Sequence, residues 1–292
     1  MKRKPFYFLT VLIIFSLTNA LEKVTYTFSK EPIDVVIPCH PKDAEHLDRA
    51  IESIKKYVQG VRSIKVISSE QCTDQAEWID EKVFPFNKES IALEIFKSKE
   101  AAAWQLSKPR SRMGWIYQQF LKLFSLFYIP NISSNVLIVD ADVVFLQPIS
   151  FMQANGAGLY AVGSEFNPDY FAHAGRILPD LKRRKYKAYS GVVHHMLFQR
   201  PVLEDLFDLI QKYHGLAPWV AIARSIPLDE QNDMAFSAMS EYEIYFNFVF
   251  FRTDQVKIRH VRWTNAFSVD FRGFDEYVNK GYSYVAIHNW GE

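Results

Sequence analysis

The sequence predicts one α/β domain built on a mainly parallel sheet, and three observations carry that expectation. Strand, helix and strand follow one another within forty residues near the start. An apolar run of strand length, Val136-Leu137-Ile138-Val139, comes directly after a long amphipathic helix. Beyond it, short apolar runs and helical patterns keep alternating to the end of the chain. Parallel neighbours need a crossover connection, which a helix supplies, so this alternation favours a parallel sheet.

The first strand is Ile33-Asp34-Val35-Val36-Ile37-Pro38, a β-branched run that proline stops. Leu47, Ala50, Ile51, Ile54 and Val58 then recur at helical spacing. Ile64 to Ser68 is the second strand, and Ala92 to Phe96 a third candidate. Gly114 to Tyr128 is the clearest helix. Ile116, Phe120, Leu123, Phe124 and Phe127 form its apolar face, and Pro130 ends it. Further strands are expected at Gly158 to Gly163, Gly191 to Phe198, Val256 to Val261 and Tyr284 to Ile287. Helices are expected at Val202 to Tyr213 and Ser240 to Phe251, with an irregular section from Asn167 to Tyr189. Glu22 to Pro32 reads as a polar connector, and 31–292 as a single domain.

Composition narrows the function classes. The chain has 292 residues, 49% of them hydrophobic, with a formal net charge of +1. That balance gives no global electrostatic case for binding nucleic acid. Two cysteines, Cys39 and Cys72, exclude a disulfide-dense scaffold and a Cys-rich zinc site, and leave one disulfide open. At the N-terminus, Lys2-Arg3-Lys4 precedes the apolar stretch Phe6 to Leu17 and the small residues Thr18-Asn19-Ala20. This pattern reads as a signal peptide over residues 1–20 and an exported protein, whether secreted, periplasmic or luminal. The alternative is an uncleaved membrane anchor. The run is shorter than the ~20 residues that comfortably span a bilayer.

The most informative segment is the exit of the strand at Val136. There the apolar run ends in Asp140-Ala141-Asp142, followed by Val143-Val144-Phe145-Leu146 and Pro148. Unpaired buried carboxylates are costly, so two of them at a buried strand's end call for a positive partner. In an extended backbone, side chains i and i+2 share a face, which lets Asp140 and Asp142 converge. Two hard oxygen ligands suit Mg²⁺ or Mn²⁺ holding a phosphate-bearing substrate.

The apolar strand, the Asp-Ala-Asp and the Val-Val-Phe-Leu with Pro148 resemble nucleotide-sugar glycosyltransferases of the GT-A fold. Ile33 to Asp43 is similar to the first strand and donor loop of that fold. Gly114 to Leu123, Ser240 to Tyr245 and His288-Asn289-Trp290 resemble a bacterial subfamily within it. The resemblance implies a three-layer α/β/α sandwich with a mixed, mainly parallel central sheet. It implies transfer of a sugar from a nucleotide-diphosphate donor to an acceptor hydroxyl, with Mn²⁺ or Mg²⁺ as cofactor. Asp140 would contact donor and metal, Asp142 would be the more direct ligand, and His288 a third ligand. Pro38, Cys39 and His40 would line the nucleotide pocket, because open α/β sheets bind ligands at the carboxyl ends of their strands. Gln119 and Lys122 would face the donor.

Other residues carry weaker signals. Glu241, at a helix start, is a candidate general base for the acceptor, or simply a charge that complements the helix dipole. Arg110 and Arg112 are candidates for neutralising a diphosphate. The basic run Lys182 to Lys185 reads as a solvated face or a lid, and Asp229, Glu230 and Asp233 as a solvated loop. Adjacent strand residues point to opposite sides, so His194 and His195 are not a natural metal pair, although one of them can face the site. Two alternatives to sugar transfer stand beside it. One is a haloacid-dehalogenase-type phosphatase using Asp140 as nucleophile, with Asp270 and Asp275 as a loose second acidic pair. The other is a non-catalytic relative that binds sugar nucleotides.

Overall fold

In the computed structural model, which describes residues 22–181, 189–231, 233–235, 237–267 and 273–288, the run Ile33–Pro38 forms strand β1. It is buried at every position. Helix α1 (Ala44–Tyr57) crosses over to β2 (Val61–Ser68), which pairs with β1 in parallel, Ile37 opposite Val66. This is the βαβ unit expected from the alternation. Beyond β2 lies β3 (Glu77–Asp80), also parallel.

Three helices follow: α2 (Lys88–Phe96), α3 (Lys99–Ser107) and α4 (Met113–Tyr128). Strand β4 (Asn135–Val139) then inserts on the other side of β1, again in parallel. The chain continues through β5 (Val143–Phe145), β6 (Leu159–Tyr160) and α5 (Pro168–Ile177). Strand β7 (His195–Gln199) returns antiparallel to β4 and completes a five-stranded sheet of order β3-β2-β1-β4-β7. The sheet is therefore mixed and mostly parallel. All residues of β1, β4 and β7 are buried, so both faces of the sheet are covered.

The C-terminal part adds α6 (Arg200–His214), α7 (Pro218–Arg224), α8 (Glu241–Arg252), β8 (Lys257–Ile258), β9 (Trp263–Phe267), α9 (Phe274–Asn279) and β10 (Tyr284–His288). Strands β5, β10 and β9 form a second small sheet, and β6 pairs with β8. One apolar cluster runs from Tyr26 to Ala286. The many phenylalanines serve it. Phe86 meets Phe120 and Phe124 edge-on, and Phe124 stacks on Phe207 at 4.6 Å, which ties α4 to α6. Burying such a ring contributes about 1.5–3 kcal/mol.

Several expectations need correction. Ala92 to Phe96 is helical and belongs to α2. Asn87 and Ser90 form a reciprocal capping box at its start, and the buried positions Ile91, Ala92, Ile95 and Phe96 make a helical face. A short apolar run is ambiguous until its cap is recognised. The section from Asn167 contains α5, which starts at a capping Asn167 and a first-turn Pro168. The segment Glu22 to Pro32 is packed: Val24 N–H donates to the Arg252 carbonyl, and the Tyr26 hydroxyl to Asp205. Among the described residues no helix is long and apolar enough to cross a membrane. The signal-peptide expectation, residues 1–20, lies outside the described residues.

Candidate metal centre

Strand β4 stops at Val139 because the chain turns there. Asp140 N–H donates to the His194 carbonyl at 2.9 Å, and Val143 N–H donates back to the Asp140 carbonyl at 3.2 Å. Asp140 to Val143 is thus a tight turn, which corrects the expectation that the two aspartates converge along an extended backbone. They converge all the same, and β10 holds the turn from its far side through Ile287 N–H to the Asp142 carbonyl, 2.9 Å. β1 and β4 run parallel with Val36 level with Ile138, so Pro38 and Asp140 both lie at the same, carboxyl edge of the sheet. The turn sits at the carboxyl edge of the parallel strands, where such sheets bind ligands.

His194 completes the group. It sits just before β7, in the left-handed region with φ of 63°. That conformation costs a non-glycine residue of order 1 kcal/mol and gathers at functional sites. Because Val139 pairs with His195, the preceding residue lies beside Asp140. One ligand atom each from Asp140, Asp142 and His194 lie within 4.8 Å of one another. His194 Nδ1 is 3.4 Å from Asp140 Oδ2, and its Nε2 is 3.0 Å from Asn265 Oδ1. When Nε2 donates to the Asn265 oxygen, Nδ1 is left with a lone pair facing the carboxylate, where a metal can take it. Burial disfavours a charged ring, but Asp140 and Asp142 prevail and raise the His194 pKa above its ordinary value. Cis ligands of a small divalent ion stand about 3 Å apart, so this spacing, with an outer partner fixing the imidazole, fits a metal.

Behind the turn lies a buried cation. Lys122, on α4, has a side chain 5% exposed; its Nζ is 2.6 Å from Asp140 Oδ1 and 2.9 Å from Glu241 Oε1. Tyr242 OH donates to the same Asp140 oxygen at 2.9 Å, and its ring lies 4.6 Å from the Lys122 ammonium. Burial works against ionisation of Asp140, yet Lys122 and His194 hold its pKa well below the usual carboxylate range. Glu241 has the reverse balance: burial and the neighbouring Asp140 outweigh Lys122, and its pKa is raised. Gln119 fixes the start of α8 by accepting the Glu241 N–H at 3.0 Å.

The next residue along α8, Glu243, fixes the His194 loop. Its carboxylate accepts the Ser190 hydroxyl at 2.6 Å and the Asn247 amide at 2.7 Å, and Ser190 Oγ accepts the Val192 N–H at 3.0 Å. Gly191 is required by close packing here. A Cβ at this position would stand 2.6 Å from Phe246 Cβ and 2.8 Å from the Tyr242 carbonyl.

The expected site residues divide accordingly. Asp140 and Asp142 converge as anticipated. Lys122, Gln119 and Glu241 reach the site, but all three are buried and bound to protein partners rather than facing outward. Pro38 and Cys39 are buried at the end of β1; His40 is exposed and caps a short turn by accepting the Lys42 N–H. Both cysteines are free. Burial, with the Cys72 thiol beside it, pushes the Cys39 thiol up to about 12. His288 closes β10, and its side chain lies outside the described residues. Arg112 packs its guanidinium over the Trp115 ring, and Arg110 is an exposed residue of the preceding loop. Asp233 is pinned by Lys108 and Gln105. Lys182 to Lys185 and Asp270 lie outside the described residues. The sequence leaves open which of His194 and His195 faces the site, and gives no separate role to Tyr242 or Glu243. The Ser-Glu-Tyr-Glu run at a helix start was the signal available for the latter two.

The fold and this group define an α/β protein with a candidate metal centre at the carboxyl edge of its main sheet. The chain belongs to a family described as a family of unknown function (DUF6492), whose profile matches residues 30–271 and so includes Asp140, Asp142, His194 and Glu241. No curated protein matches it.

Proposed function

We propose that the protein is a metal-dependent glycosyltransferase of GT-A type that uses a nucleotide-diphosphate sugar. The observation that carries this reading is the convergence of Asp140, Asp142 and His194 at the carboxyl edge of β4, beside the end of β1. Two carboxylates and one imidazole form a donor set suited to Mn²⁺, with Mg²⁺ the harder alternative. A divalent ion there would hold the donor diphosphate and offset negative charge on the leaving nucleotide.

The chain's own residues supply the positioning. Lys122 and Tyr242 hold one Asp140 oxygen, so the other stays directed at His194. Asn265 holds the outer nitrogen of His194, Nε2, at 3.0 Å. Glu241 acts through Lys122, as the second anion that keeps the ammonium in place. The end of β1, from Pro38 to His40, borders the donor site. The N-terminal segment, if it acts as a signal peptide, would send the enzyme to an exported compartment, where its donor must also be supplied.

The test is Mn²⁺ binding by calorimetry with and without nucleoside diphosphates, paired with donor turnover. Asp142→Ala is expected to weaken Mn²⁺ binding by at least about 100-fold, beyond what loss of an outer-shell partner causes, and to abolish divalent-dependent turnover. Unchanged turnover in that variant refutes the assignment. Hydrolysis of p-nitrophenyl phosphate without activity on nucleotide sugars would favour the phosphatase alternative. Nucleotide binding without any turnover would favour a non-catalytic relative.

A further inference from the structure

A cleft of about 550 Å³ opens beside the candidate metal centre, lined by Gly163, Ser164, Tyr189, Trp263, Thr264 and Asn265. It is separated from the carboxylates by one imidazole. His194 faces Asp140 with Nδ1, and with Nε2 it holds Asn265, which belongs to the cleft wall. The volume falls within the ~300–1,000 Å³ typical of small-molecule sites.

The lining has two characters. Trp263 and Tyr189 offer aromatic surface. Trp263 is held in place, stacked on buried Tyr284 with an interplanar angle of 6° and 5.6 Å between centroids, and set edge-on to His194 at 5.4 Å. Its indole N–H points to the Val162 carbonyl at 3.4 Å. Ser164, Thr264 and Asn265 supply hydroxyl and amide groups around these rings. Gly163, bridged to Ser190, packs close beside the indole: a Cβ there would stand 2.7 Å from the Val192 carbonyl and 3.4 Å from the Trp263 ring. A pyranose has one apolar C–H face and a rim of hydroxyls, and it matches a rigid aromatic surface edged by neutral polar groups.

Topology assigns which sugar. In the sheet order β4 lies between β1 and β7. The end of β1 borders the carboxylates on one side; His194 and this cleft border them on the other. We infer that the cleft binds a pyranosyl ring of the acceptor, with Trp263 and Tyr189 as its stacking surfaces. This rests on the glycosyltransferase reading for the word acceptor, and on the cleft alone for the pyranose.

The experiment is saturation-transfer NMR of the full protein with methyl glycosides of the common hexoses and N-acetylhexosamines, without metal or nucleotide. Tyr189→Ala and Trp263→Phe are compared with the wild type. The second variant keeps a ring against Tyr284 and so preserves the core. Each is expected to weaken glycoside binding about tenfold, the scale of one aromatic contact, and Tyr189→Ala, which keeps Trp263 against His194, is expected to leave the thermal shift produced by nucleoside diphosphate with Mn²⁺ unchanged. Absence of saturation transfer from wild type to any glycoside overturns the inference. So does glycoside binding by both variants as tight as that of the wild type. If glycosides bind and the variants lose them, but no nucleotide produces a shift, the cleft assignment stands and the donor reading fails.

Discussion

Replacing Lys122 by methionine tests the electrostatic frame of the site. The ammonium lies 2.6 Å from Asp140 and 2.9 Å from Glu241, in a side chain 5% exposed. Methionine has similar length and no charge, so both carboxylates lose their shared cation while the space stays filled. Breaking a buried ion pair from one side costs about 3–5 kcal/mol. A second route to the figure agrees: holding one carboxyl of ordinary pKa near 4 neutral at pH 7 costs about 4 kcal/mol at 1.36 kcal/mol per pH unit. We expect Lys122→Met to lose about 4 kcal/mol at pH 7, roughly 10 °C in melting temperature for a chain of this size.

The pH dependence gives the sign. In the wild type the Asp140 pKa is depressed, so its stabilisation is complete above the unfolded value near 4 and is lost as pH falls through the lower folded value. In the variant the stranded carboxylates have raised pKa values, and their penalty shrinks as pH falls toward 4. Urea denaturation in chelator should therefore show the gap between wild type and variant narrowing by about 2–3 kcal/mol from pH 7 to pH 5. Lys122→Met combined with Glu241→Gln should be more stable than Lys122→Met alone, because one stranded charge is gone. A loss under about 1 kcal/mol at pH 7, or a double variant no better than the single, would refute the shared-cation account.

Three further outcomes follow from the same structure. Asp34, inside β1, accepts from Arg62 Nε at 2.8 Å, Ser63 Oγ at 2.7 Å and the Ser133 N–H at 2.8 Å, and against the cost of burial these partners lower its pKa. Asp34→Asn should cost about 2 kcal/mol at pH 7, below the full buried-pair value because Arg62 is half exposed. That contribution is complete above the unfolded pKa near 4 and is lost as pH falls through the lower folded value, so the gap should narrow in urea melts as pH falls from 7 to 3. Alkylation at pH 8 should modify Cys72 in the native protein and Cys39 only after denaturation, as read by mass spectrometry, because burial raises the Cys39 pKa to about 12. Gly191→Ala should destabilise by about 1–3 kcal/mol through overpacking against Phe246. It should also weaken Mn²⁺ binding by displacing His194, a change that electron paramagnetic resonance of free Mn²⁺ would measure.

The parts of this protein visible in its sequence are those set by local pattern. The βαβ unit, α4, α6 and α8 each carry a run long enough to define a period, and Asp140 and Asp142 stand out because charge so rarely ends a fully apolar strand. What stayed hidden depends on pairing between distant segments. The part of His194 follows from the antiparallel register of β7 on β4, Val139 opposite His195, and no local signal announces that register. The sequence has Lys122 facing the donor, and its burial between two anions is hidden because these come from a turn 18 residues away and a helix start more than a hundred residues away. Strand β9 and the Trp263 cleft were missed for the same reason: β9 gains its place only by pairing with β10.

The first turn of α8 is where these distant pieces become one site. Successive helical residues point about 100° apart, at 3.6 residues per turn, so Glu241, Tyr242 and Glu243 necessarily address three different neighbours. Glu241 takes Lys122 of α4, Tyr242 takes Asp140 at the end of β4, and Glu243 takes Ser190 in the loop that leads to His194. Gln119 and the Ser240 cap set the rotation of the helix about its axis by holding the Glu241 and Glu243 N–H groups. A rotation of α8 would therefore move all three contacts together. The two sides of the candidate metal centre, the β4 turn and the His194 loop, are held in register by one rigid element. That explains why a helix start that supplies none of the three candidate ligands is nearly all polar yet fully buried.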